Sequence, residues 1–317
     1  MSRIFRTLGL PRVLRGLALA SLIANIGIVV TGGAVRLTGS GLGCPTWPRC
    51  DANSYIEAPA HGYHWIVEFG NRTLISVVGT LAVLCVLAVL AQAQRPENYT
   101  DQRKWAVLVL IGIPAQAVLG GITTLSDLNP WIVASHFLLS AAVIAAAYQL
   151  WVRTRETESD AGTSTALRSL SWAIVAVTAA VLAAGTVVTG SGPHAGDAHA
   201  KRTGLDPAAV AQLHTDLVML LIGLSVAAWI ALRAAGAHVA TRAGAILVLV
   251  ECSQALIGFV QYFTHLPIIL VGAHMLGACL VWVAALRLLT ATAPSQRRAT
   301  DQATLPAARQ PEHTAAG

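Results

Sequence analysis

Charge is scarce in this chain. Asp, Glu, Lys and Arg supply 11% of its 317 residues, where soluble domains carry roughly 25%, and the shortage excludes an ordinary soluble fold. Hydrophobic residues supply 55% instead, with a mean hydropathy of +0.63, as expected of an integral membrane protein. The apolar runs lack the two-residue alternation of a barrel wall, so membrane strands are excluded as well. The first run is too long for a cleaved signal peptide, and no small-residue cleavage site follows it. There is no Cys-x-x-Cys haem-attachment motif, so any haem is not covalently held by that route. Thr38-Gly-Ser-Gly-Leu-Gly43 lacks the Lys-Ser/Thr ending of a phosphate loop and follows no strand, which leaves it an outer turn.

Eight apolar segments are present, near residues 13–35, 64–92, 104–125, 131–152, 168–190, 209–233, 241–263 and 268–290. Each is long enough to cross a bilayer core of about 30 Å as a helix. The net charge of +6 is a topology signal and not a nucleic-acid signal. Arg3, Arg6, Arg12 and Arg15 precede the first span; Arg95, Arg103 and Lys104 lie between the second and third; Arg153, Arg155 and Arg168 lie between the fourth and fifth. Arg233 and Arg242 flank the sixth connection, and Arg287, Arg297, Arg298 and Arg309 end the series. The positive-inside rule makes this side cytoplasmic and places both termini there.

The chain also contains itself twice. Gln116, Gly120 and His136 recur with the same spacing as Gln254, Gly258 and His274, and Val30-Thr-Gly-Gly33 recurs as Val188-Thr-Gly-Ser191. Phe69-Gly-Asn71-Arg-Thr-Leu74 aligns with Gln212-Leu-His214-Thr-Asp-Leu217. Because each half has an even number of spans, both halves cross in the same direction and are related by an axis along the membrane normal. The expected architecture is all-α: two pseudo-symmetric four-helix bundles, residues 1–152 and 168–290, joined by a polar linker at 153–167. Residues 291–317, with no apolar period, read as a disordered tail. Asn71, His136, His214 and His274 all fall one to two turns inside the outer ends of their spans.

His214 and His274 occupy matching polar slots of the second half, and two imidazoles from facing helices can ligate a haem iron. The alternative is that each is a buried His bonded to a neighbouring helix. Glu68 shares a helical face with Asn71, with His64 one turn before it. It is either a carboxylate that handles a proton or positive charge, or an interfacial acid paired with Arg72. Arg72 has a second option of its own, since its guanidinium fits an anionic group such as a haem propionate. Cys44 and Cys50 bracket Pro-Thr-Trp-Pro-Arg in an outer loop, where disulfides persist; two free thiols are the alternative. Cys85, Cys252 and Cys279 read as packing residues. His194, Asp197 and His199 belong to a solvated loop, or shape a pocket rim or a metal site, and Glu251 belongs to a proton path or pairs with another helix.

Taken together, Thr31-Gly-Gly-Ala-Val-Arg-Leu-Thr-Gly-Ser-Gly-Leu-Gly-Cys-Pro-Thr-Trp-Pro-Arg-Cys50, Glu68-Phe-Gly-Asn-Arg72, Gly190-Ser-Gly-Pro-His-Ala-Gly-Asp197 and the His slots resemble the haem A synthase family across residues 13–290. The resemblance implies an oxidoreductase of the cell membrane that converts the C8 methyl of haem O to the formyl of haem A. It implies a haem b cofactor held by His214 and His274 in the second bundle. In the first bundle it implies haem O as substrate, with His136 on its iron and Glu68 as the catalytic carboxylate. Cys44 and Cys50 match the family's outer-loop pair. Expected partners are membrane lipid, a haem O synthase and an electron acceptor; a homo-oligomer stays open. One departure stands out, because many members have His where this chain has Asn71. The first site is then five-coordinate, or completed by water or by His64. A membrane b-type cytochrome that moves electrons without modifying haem is the rival reading.

Overall fold

The computed structural model describes residues 7–56, 59–92, 96, 98–155 and 163–293. Among them are eight long helices and no strand: α1 Pro11–Leu37, α2 His64–Leu90, α3 Tyr99–Leu125, α4 Pro130–Arg153, α5 Thr165–Ser191, α6 Pro207–Ala234, α7 His238–Phe263 and α8 Ile268–Ala291. All eight are long and apolar enough to cross a membrane. Helices α1 and α3 start before the apolar runs do. The first turns of α3 hold Asp101, Arg103 and Lys104, and a polar turn continues a helix past the hydrocarbon although hydropathy does not register it. Of the expected linker, residues 156–162 lie outside the described residues, as does the tail from residue 294.

Helix starts follow from capping chemistry. Asn129 accepts from the Trp131 N–H at 3.0 Å with Pro130 as the first helical residue. Asp206 accepts from the N–H groups of Ala208 and Ala209 ahead of Pro207. These side chains satisfy donors that a helix leaves orphaned, and proline loses nothing there.

Within each half the four helices close a ring. In the first, α1 packs on α2, α2 on α3, α3 on α4, and α4 back on α1; α5 to α8 repeat the pattern. The halves meet through α1, α4, α5 and α8. There Trp282 donates its indole N–H to the Ala141 carbonyl at 2.9 Å, and Met275 packs on Gly33, where a Cβ would overlap its sulfur. The backbone itself repeats. Asp127 and Leu128 have φ of 51° and 58°, and His265 and Leu266 have 62° and 59° at the same offset. Left-handed residues without glycine are uncommon. The Leu128 N–H bonds the Thr123 carbonyl as that of Leu266 bonds Gln261. Two copies of one turn thus deliver α4 and α8 into the bundles at the same angle.

Candidate functional site

Helices α2, α4, α6 and α8 all begin at the end of the molecule that carries the loops 38–63 and 192–206. Asn71, His136, His214 and His274 lie six or seven residues into these helices, a depth of about 9–11 Å at 1.5 Å per residue. The four slots expected from the repeat therefore lie at one level, two in each bundle.

Each imidazole has the same seat. A Cβ placed on Gly120 would stand 3.2 Å from Cε1 of His136; the distances from Gly185 to His214 and from Gly258 to His274 are also 3.2 Å. A larger residue at these glycines would push the ring out of place. The conserved spacing of Gln and His has its reason in the same place. Gln116 donates to the His136 carbonyl at 3.3 Å and to Ser140 Oγ at 2.9 Å; Gln254 donates to the His274 carbonyl at 2.6 Å. A glutamine on one helix thereby fixes the height of a histidine on the next.

The rings fit a haem iron. Nδ1 of His136, His214 and His274 is buried without a hydrogen-bond partner. An imidazole that carries its proton on Nδ1 leaves Nε2 with the lone pair that a metal takes. Asn71 differs: its Oδ1 accepts from Thr31 Oγ at 2.7 Å.

Glu68 and Arg72 turn towards the loop. Glu68 is 6% exposed; its Oε2 accepts from the Cys44 N–H at 2.7 Å, and its Oε1 from Arg72 Nε at 3.1 Å and from Nη2. The other Arg72 donors reach the carbonyls of Cys44, Thr46 and Arg49 and the Thr124 hydroxyl. Arg72 is therefore paired with Glu68, the contact its position one turn along α2 allows. The loop it grips is closed by a Cys44–Cys50 disulfide with Cα atoms 4.3 Å apart. Trp47 of that loop lies on α3 at Gly121, beside the glycine that seats His136. Gly43 passes so close to the His64 carbonyl that a Cβ there would overlap it.

His64 Nδ1 is hydrogen-bonded to Ser40 Oγ at 2.9 Å, which anchors it to the loop. His194 bonds the Leu266 carbonyl through Nε2 at 3.0 Å, and Asp197 accepts from the His199 N–H. Among the described residues no cluster of three His, Cys, Asp or Glu is placed to hold a metal ion, and His194 and Asp197 line a cavity with Arg36 and Arg202. Arg36 ties α1 to their loop through the carbonyls of His194 and Thr189. Glu251 pairs with another helix, accepting from Ser225 at 2.8 Å. Reading the sequence passed over Ser40, Trp47, Arg36 and Gly185, and noticed Gly120 and Gly258 only through the Gln–Gly–His spacing.

Comparison with known proteins gives a family and several relatives. The family described as cytochrome oxidase assembly protein (COX15-CtaA) matches residues 15–286. The chain is similar to the heme A synthase of Bacillus licheniformis, 28% identical over 149 residues, which is 47% of this chain and 47% of that protein. It is 30% identical over 138 residues to the heme A synthase of Geobacillus thermodenitrificans (42% of this chain, 41% of that protein). It is 33% identical over 135 residues to that of Bacillus pumilus (40% and 42%). The chain spans less than half the length of each of these relatives.

Proposed function

The chain belongs to the cytochrome oxidase assembly protein family, and from that premise we propose that it is a haem A synthase, oxidising the C8 methyl of haem O to a formyl group. The observation that carries the reading is the set of repeat-equivalent slots at one level, three of them imidazoles seated on glycines. An electron carrier across the bilayer would need ligand pairs at both ends, and all four slots lie at one.

In this reading His214 and His274 hold a haem b in the second bundle, residues 168–290, and that haem supplies electron transfer. The first bundle, residues 1–152, binds haem O through His136. Glu68 is the catalytic carboxylate: oxidation of a methyl leaves electron-poor carbon, and a fixed negative charge stabilises it while water supplies the oxygen. The Arg72 pair and the Cys44 N–H hold Glu68 in one orientation, and the disulfide loop with Trp47 covers this end of the bundle. The distribution of arginines supports a reading in which that end lies outside a plasma membrane and both termini lie in the cytoplasm. Haem O is insoluble in water, so a haem O synthase must deliver it within the membrane, and an electron acceptor must remove the electrons. The reading is tested by expressing the chain in cells that make haem O but no haem A and extracting the pigments. Haem A should appear, and should vanish with His136→Ala.

A further inference from the structure

We propose that the Asn71 slot is an open axial face, able to admit a small neutral ligand of imidazole size or smaller opposite His136. The inference rests on the reading that the first bundle binds a haem through His136. Repeat symmetry makes it concrete. Gly27 precedes Val30 as Gly185 precedes Val188, so Gly27 is the repeat equivalent of the glycine that seats His214. At the other three slots the glycine's Cβ position meets an imidazole at 3.2 Å; at Gly27, an exposed position, it meets nothing within 4 Å.

Asn71 does not fill that space. Its Oδ1 is drawn to Thr31 Oγ at 2.7 Å, one turn along α1 from Gly27 towards the loop end. Its Nδ2 stands 3.7 Å from the Cβ position of Gly32. The shorter amide therefore leans away along α1, and the volume an imidazole would take stays open. Among the described residues the neighbouring donors are placed elsewhere. His64 lies two turns, about 10 Å, nearer the loop end of α2 and is bonded to Ser40, and Glu68 and Arg72 are committed to each other and to the loop. Because Glu68 and Arg72 turn to the loop and not into the slot, no charged side chain there favours an ion over a neutral ligand. Water is the natural occupant, and imidazole is a probe of the right shape.

The test uses the full chain loaded with haem O, titrated with imidazole and followed by optical and electron paramagnetic resonance spectra. In the unmodified protein the first-bundle haem should start high-spin and convert to a low-spin form with two nitrogen ligands, while the second-bundle signal stays unchanged. Asn71→His should give that low-spin form without imidazole. Gly27→Leu, which fills the space without adding a ligand, should stay high-spin and lose the response. A first-bundle haem that depends on His136 yet is low-spin from the outset, or an imidazole response unaffected by Gly27→Leu, overturns the open face alone. Haem O uptake that does not depend on His136 overturns the parent reading, and this inference with it.

Discussion

Glu68 accepts the backbone N–H of Cys44 at 2.7 Å, so a carboxylate inside α2 and the first cysteine of the disulfide loop form one unit. Arg72 closes it, binding Glu68 with two nitrogens and the Cys44 carbonyl at 2.8 Å. The placement of the acid and of the cover over the first bundle are therefore linked.

That link gives opposite expectations for two substitutions. Glu68→Gln keeps the size and the ability to accept from Cys44 but removes the charge. It should abolish haem A formation while leaving the second-bundle haem and the thermal stability nearly intact. Arg72→Ala strands a carboxylate that is only 8% exposed in its side chain. Breaking a buried pair from one side costs about 3–5 kcal/mol, so this variant should unfold at clearly lower temperature. A calorimetric comparison of the two separates chemistry from scaffolding.

The disulfide should be present in protein isolated without reductant. Mass analysis after alkylation should find Cys44 and Cys50 protected together and released together by reduction. Closing so short a loop stabilises by about 2 kcal/mol in the chain-entropy picture. Cys44→Ser with Cys50→Ser should therefore leave a folded protein whose Trp47 no longer packs on Gly121, visible as a change in tryptophan emission.

The seating glycines make a prediction that no ligand substitution makes. Gly258→Val should disturb the second-bundle haem spectrum and Gly120→Val the first, because each forces a branched side chain against a ring already 3.2 Å from the Cβ position. Each variant should change one haem signal and spare the other; both signals moving together would show that the bundles are not independent.

Gln254→Leu should lower and broaden the redox transition of the second-bundle haem without removing it, since the glutamine fixes the height of His274 through its carbonyl and ligates nothing. One lost hydrogen bond of this kind is worth about 1 kcal/mol. Spectroelectrochemical titration reads the shift.

Much of this was legible in the sequence for identifiable reasons. Continuous apolar runs mark spans because the bilayer demands length and nothing else, and the Gln–Gly–His spacing marks the slots because a rigid helix pair repeats its geometry. Other features were hidden because they join residues far apart in the chain. The grip of Glu68 on Cys44 crosses 24 positions, and the seat of Trp47 on Gly121 depends on how the loop folds back over α3. The hydrogen bond between His64 and Ser40 likewise joins residues 24 positions apart. The reach of Arg72 to the carbonyls of Cys44, Thr46 and Arg49 was hidden for the same reason.

The most direct measurement is the pigment content of the membrane when the chain is expressed in cells supplied with haem O and lacking any other source of haem A. Mass analysis should find haem A with the unmodified chain, haem O alone with Glu68→Gln, and haem b retained by the purified protein in both cases. Haem b bound through His214 and His274 with haem O left unconverted by the unmodified chain would contradict the enzyme and leave an electron-carrying cytochrome in its place.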